Sequence, residues 1–135
     1  MAKLAWLVLL LSVLAGCGGG GGTNFPPVLV SYSPSNGATS IDHETTVDLI
    51  FNEAIEHASI SSSTFSVQEL GGGPVSGTYE FIDNFYLYQG TLVRFVPAAP
   101  LSGDTTYTVT VSRNITDLTG LSLGTDVNWE FTTCL

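Results

Sequence analysis

From Val28 onward apolar and polar side chains alternate with a period of two, and no long stretch carries the three-to-four spacing of an amphipathic helix. Val28 to Ser33 predicts a first strand, stopped by Pro34 and the turn residues Ser35-Asn36-Gly37. Thr46 to Phe51 is the clearest strand, with Val47, Leu49 and Phe51 on one face. Thr64 to Leu70 follows, turning Phe65 and Val67 inward, and Gly71-Gly72-Gly73-Pro74 ends it. Val75 to Asp83 alternates through Val75, Gly77, Tyr79 and Phe81, and Asp83-Asn84 predicts a turn into a short strand from Phe85 to Tyr88. Leu92 to Val96 is stopped by Pro97; Tyr107, Val109 and Val111 mark the next strand, and Val127, Trp129 and Phe131 the last. About seven or eight short strands with turn signals between them predict an all-β fold, an antiparallel β-sandwich with one face of each strand buried and the other wet.

Ahead of the alternation the pattern is different. Lys3 is followed by an apolar run from Leu4 to Leu14 and by the small residues Ala15 and Gly16 before Cys17, which is the build of a secretory signal. The run is shorter than the roughly 20 residues that cross a bilayer as a helix. Leu14-Ala15-Gly16-Cys17 resembles the lipobox of bacterial lipoproteins, and the resemblance implies cleavage just before Cys17 and lipidation, palmitate included, of that cysteine. The other reading is an ordinary signal peptide with an incidental cysteine. Gly18 to Gly22 with Thr23 and Asn24 lacks the side chains to build a core and reads as a flexible tether, about eight residues spanning roughly 15 Å. In lipoproteins resembling this chain, Asp after the cysteine favours inner-membrane retention, so Gly18 implies the outer membrane. The expected organisation is a signal peptide over 1–16, the lipidated cysteine and tether over 17–27, and one domain over 28–135.

Charge narrows the partners. The whole chain carries a formal net charge of −9, and loss of Lys3 with the signal leaves Arg94 and Arg113 against twelve carboxylates. Such a surface repels nucleic acid and anionic headgroups, which excludes nucleic-acid binding. An acylated Cys17 has no free sulfur, so Cys134 is left without an intrachain partner; pairing between two chains is open to it.

The positions that carry a family resemblance run in order along the domain: Ser33-Pro34-Ser35-Asn36-Gly37-Ala38, Val47 to Glu53, Phe95-Val96-Pro97 with Leu101 and Thr106-Tyr107, Asp117-Leu118-Thr119-Gly120, and Trp129-Glu130-Phe131-Thr132-Thr133. Together they resemble the bacterial Ig-like domain of the S-layer SbsA type, across essentially all of Val28 to Thr133. The resemblance implies an Ig-like sandwich that serves as a spacer, surface-display or adhesion module, commonly in arrays, although a single copy stands here. A tyrosine opening a strand behind a corner, as Tyr107 does after Leu101-Ser102-Gly103-Asp104, is the residue such sandwiches use to tie that corner to the backbone. The chain ends two residues past Thr133, which fits a short lipoprotein or a piece of an array equally.

Candidate chemistry is sparse. His43 beside Asp42 and Glu44, and His57 beside Glu53 and Glu56, combine imidazole with carboxylate and are the candidates for copper or zinc. Val30 to Ile55 also resembles the opening of periplasmic copper carriers of the CopC type, which implies copper binding, but the N-terminal histidine of those carriers is replaced here by Cys17 and glycines. Asn114, Asp117 and Asp126 supply oxygens of the kind that gather calcium, though without EF-hand spacing. Phe81, Phe85, Tyr86 and Tyr88 crowd one hairpin, and Phe85, Tyr86 and Tyr88 are the candidate patch for stacking on a glycan or a cell-surface protein. No serine elbow, cysteine–histidine pair, phosphate loop or two-histidine helical motif occurs. The chain therefore reads as a non-enzymatic envelope module without a cofactor, attached to the membrane through Cys17, with a periplasmic copper-binding protein as the alternative.

Overall fold

A computed structural model describes residues 24–85 and 89–135. The described residues are all-β, with eight strands among them: β1 (Leu29–Ser33), β2 (Ala38–Ile41), β3 (Val47–Phe51), β4 (Phe65–Glu69), β5 (Gly77–Phe85), β6 (Gly90–Pro97), β7 (Thr106–Val111) and β8 (Val127–Thr133). They form two four-stranded sheets, in the orders β1-β3-β6-β5 and β2-β8-β7-β4. All pairings are antiparallel except β2 on β8, which is parallel. One turn of 3-10 helix, His57–Ser59, interrupts the connection from β3 to β4.

Period-two patterning explains the core. Val47, Leu49 and Phe51 of β3 are buried while Asp48 and Ile50 face outward, and Val93 and Phe95 beside them come from β6. The other sheet presents Phe65, Val67, Tyr107, Val109, Val111, Trp129 and Phe131 to the same core. Each such side chain contributes about 1.5–3 kcal/mol when fully withdrawn from water. Trp129 donates Nε1–H to the Pro34 carbonyl at 2.9 Å and stacks on Tyr32, which pins the crossing from β1 to the second sheet. On the wet face Arg94 grips Asp48 with both arms of the fork, Nε to Oδ1 at 2.9 Å and Nη2 to Oδ2 at 2.8 Å. The expected corner is present: Ser102 donates its backbone N–H to the Tyr107 hydroxyl at 2.8 Å.

One strand goes unread in the sequence, and one expectation is corrected. Ala38–Ile41 forms β2 along β8, with Ala38 opposite Phe131 and Ile41 opposite Thr133. Its polar centre, Thr39-Ser40, and the positive φ of Ser40 hide it from a search for alternation. Asp83-Asn84 is not the hairpin turn. Ile82 pairs with Leu92 and Phe85 with Gly90, so Asp83 and Asn84 stand together against the single residue Thr91 as a bulge within β5. Asn84 has φ of 55°, a conformation asparagine tolerates better than most residues. Gly90 must be glycine, since a Cβ there would lie 1.9 Å from the carbonyl oxygen of Phe51.

Strand direction gives the sandwich two poles. The N-terminal pole gathers the starts of β1, β4, β6 and β8 with the ends of β3, β5 and β7. Asn24 is held there by its amide on Thr119 Oγ1, and Val28 by its N–H on Asn52 Oδ1. The C-terminal pole holds the connection from β2 to β3, the connection from β6 to β7, and Cys134, whose carbonyl accepts from Asp104 N–H at 2.7 Å. Among the described residues no helix is long and apolar enough to cross a membrane.

Candidate functional site

The two histidines do not come together. His43 precedes β3 and His57 follows it, so a five-residue strand, roughly 17 Å of extended chain, separates the poles they occupy. The direction of β3 therefore sets His43 and His57 at opposite ends of that strand. His43 is instead built into the C-terminal pole, where its Nε2 contacts the Cys134 carbonyl at 3.0 Å and its own carbonyl accepts from Leu101 N–H. Asp42, His43, Glu44 and Pro100 line a shallow depression there of about 440 Å³, with Cys134 at its edge.

His57 belongs to a network at the N-terminal pole. Its ring lies flat on Phe81, with centroids 3.9 Å apart and planes 11° from parallel, and its Nε2 contacts Asp83 Oδ1 at 3.2 Å. The bulge in β5 aims Asp83 at Thr91, whose hydroxyl donates to Asp83 at 2.9 Å and accepts the N–H of Ile55 at 3.1 Å. The hydrogen bond from His57 is the main reason the Asp83 carboxyl sits below its ordinary value; burial opposes it and Thr91 adds to it. Glu56, His57, Asp83, Asn84 and Leu118 border an open cavity of about 410 Å³. The hydroxyl in this network is bonded to the carboxylate and not to the imidazole, which differs from a relay that activates a nucleophile. Thr91 went unnoticed in the sequence, where its one signal is a polar residue opening the buried run of β6.

The three residues expected to gather calcium are divided. Asp126 is taken by Arg113, through the backbone N–H at 2.8 Å and the guanidinium at 3.4 Å. Asn114 stands in the same connection, its backbone N–H bonded to Ser112 Oγ. Asp117 is 2 % exposed and has other partners: its Oδ1 accepts from Thr119 N–H, Thr119 Oγ1–H and Leu121 N–H at 2.7–2.9 Å. Burial would push its carboxyl up, but the Thr119 hydroxyl and the turn's backbone N–H groups outweigh it and hold the carboxyl below its ordinary value. Among the described residues no group of three or more histidine, cysteine or carboxylate side chains is arranged to hold a metal ion.

The aromatic hairpin is only partly in view. Phe81 is half-buried beneath His57, and Phe85 is half-buried at the end of β5, at the N-terminal pole. Tyr86 and Tyr88 lie outside the described residues, as does Cys17 with the whole signal segment.

A family model described as a bacterial Ig-like domain matches residues 23–133. Among solved structures, the N-terminal part of the bacterial S-layer protein SbsC is similar at a TM-score of 0.56 and 21 % identity, over 82 % of this chain and 24 % of that one. CopC from Methylosinus trichosporium OB3b is similar at 0.53 and 18 %, over 80 % of this chain and 93 % of that one. The native conformation of E. coli alpha-2-macroglobulin is similar at 0.56 and 20 %, over 80 % of this chain and 6 % of that one. This chain spans 14–24 % of the S-layer chains it matches. At these identities the likeness is one of fold. No curated protein matches the chain by sequence.

Proposed function

The chain belongs to the family of bacterial Ig-like domains, and from that premise we propose that it is a lipid-anchored module of the bacterial cell envelope, with a structural, display or adhesion role. Cys17 carries the lipid, the glycine-rich tether falls within 17–27, and Gly18 directs the protein to the outer membrane. The observation that supports this reading is the polarity of the sandwich. Asn24 and Val28 are held at one pole, while His43, Pro100 and Cys134 sit at the other. A domain tethered at the first pole presents the second one outward, as a spacer or display element must. The family's domains are typically non-catalytic, and the hydroxyl-to-carboxylate order at Thr91 and Asp83 agrees with a binding or structural role.

The same polarity bears on partners. Phe85, at the end of β5, stands at the pole nearer the tether. A cell-surface protein or glycan is therefore more readily met by the depression around His43 and Pro100. A copper carrier is not favoured, since its two histidines are at opposite poles.

The test is metabolic labelling with a palmitate analogue in wild type and Cys17→Ala, followed by membrane fractionation. Label and membrane association that vanish together in Cys17→Ala are expected. An unlabelled wild-type chain in the soluble fraction would overturn the anchor, and the envelope role would lose its main support.

A further inference from the structure

The second oxygen of Asp117 raises a question of charge. Oδ1 accepts three hydrogen bonds from the turn, but Oδ2 is buried with it and takes none among the described residues. The turn's hydrogen bonds offset the burial of the carboxylate as a whole, and Oδ2 keeps a buried acceptor position that a cation can fill. Asp117 pairs with Ile55 across an isolated antiparallel bridge, which brings the exit of β3, with Glu53 two residues before Ile55, alongside the turn. Burial, and then the negative charge of Asp117, push the Glu53 carboxyl up, so the two acids feel one another. Asn24, whose amide contacts Thr119 Oγ1, adds a further oxygen-bearing side chain at the same turn.

No cationic side chain of the described residues is placed to compensate. Arg94 is engaged by Asp48 and Arg113 by Asp126, and the third cation of the chain is Lys3. His57 is on Asp83, and His43 is at the opposite pole.

We propose that Asp117 Oδ2 and the Glu53 carboxylate, with oxygens of Thr119 and Asn24 at their side, form a binding site for a hard divalent cation of the calcium class. The donor set is all oxygen, which suits calcium or magnesium and not copper or zinc. The ion ties three segments together: the exit of β3, the connection from β7 to β8, and the residue through which the chain enters the domain. It would thereby set the direction in which the sandwich leaves its N-terminal segment. This site is distinct from the grouping of Asn114, Asp117 and Asp126, because Asp126 is already neutralised by Arg113.

The test uses the full chain in detergent micelles, stripped with a chelator and titrated calorimetrically with calcium chloride and with magnesium chloride, alongside thermal unfolding. One-to-one binding is expected, with Kd on the order of 10⁻⁴–10⁻³ M as in extracellular calcium modules, and with a rise in Tm on saturation. Glu53→Gln should weaken binding by about tenfold or more. Its Tm without calcium should be no lower than that of wild type, because the substitution removes repulsion from Asp117. Asp126→Asn should bind as wild type does. Absence of heat and of a Tm rise with both ions would overturn the proposal. So would unchanged affinity in Glu53→Gln, or a Glu53→Gln chain that melts lower than wild type without calcium.

Discussion

The hydroxyl of Tyr107 accepts the backbone N–H of Ser102 at 2.8 Å, while the ring of the same residue lies in the core against Phe131. One side chain thus joins the connection between β6 and β7 to the packing of the second sheet. Tyr107→Phe keeps the ring and removes the acceptor. We expect a loss of about 0.5–1.5 kcal/mol, the net value of an ordinary hydrogen bond. Urea unfolding checks it, with an unchanged m-value showing that the sandwich remains intact.

Gly90 starts β6 against the backbone of Phe51. Alanine there must push the two strands apart, because the neighbour at 1.9 Å is a carbonyl oxygen and not the end of a flexible side chain. We expect Gly90→Ala to cost about 1–3 kcal/mol or more, the range for overpacking a closed interior. A control at Gly73, where an added Cβ meets nothing within 4 Å, should melt close to wild type.

Thr91 is fully buried and serves two partners, Ile55 N–H and Asp83 Oδ1. Thr91→Val preserves shape but leaves the N–H of Ile55 without its acceptor. We expect a loss of about 1–3 kcal/mol, the cost of an unsatisfied buried donor. Hydrogen exchange at Ile55 should accelerate more than at Asp48 and Ile50 in β3 if the damage stays local.

The core of this fold is legible in the sequence because burial and strand period coincide in Val47, Leu49 and Phe51, and again in Tyr107, Val109 and Val111. β2 is not, since Ala38-Thr39-Ser40-Ile41 buries nothing fully and is held by β8, which arrives late in the chain. Asp83-Asn84 misleads for a chemical reason: a residue type that tolerates positive φ suits a turn and a bulge alike. The site divides in the same way. The turn at Asp117 is local, so its Asp and Gly spacing announces it. Glu53 and Thr91 take their meaning from segments distant in sequence, and His43 and His57 look like neighbours only until the direction of β3 is known.

Acid should unfold the domain through a small set of carboxylates. Asp83, Asp117 and Asp126 are all held below their ordinary values: Asp83 chiefly by His57, Asp117 by its turn against the pull of burial, and Asp126 chiefly by the backbone N–H of Arg113. A lowered folded pKa means that the stabilisation is fully present above the unfolded aspartate value, about 3.9, and is lost as pH falls from there through the folded value. Glu53 has the opposite sign, because its folded value is raised, so its protonation favours the folded chain as pH first drops. Stability should therefore hold or rise slightly from neutral pH toward the ordinary carboxylate range and then fall steeply below about pH 4. Asp83→Asn isolates one part of this decline. The Asp83 side chain is 48 % exposed, so solvent screens its contact with His57 and its share should be below about 1 kcal/mol. Denaturant midpoints measured from pH 7 to pH 2 should show wild type and Asp83→Asn converging at the acid end, with the variant less stable above it. A constant gap between the two curves across the whole range would mean that Asp83 acts through its geometry in the bulge and not through its charge.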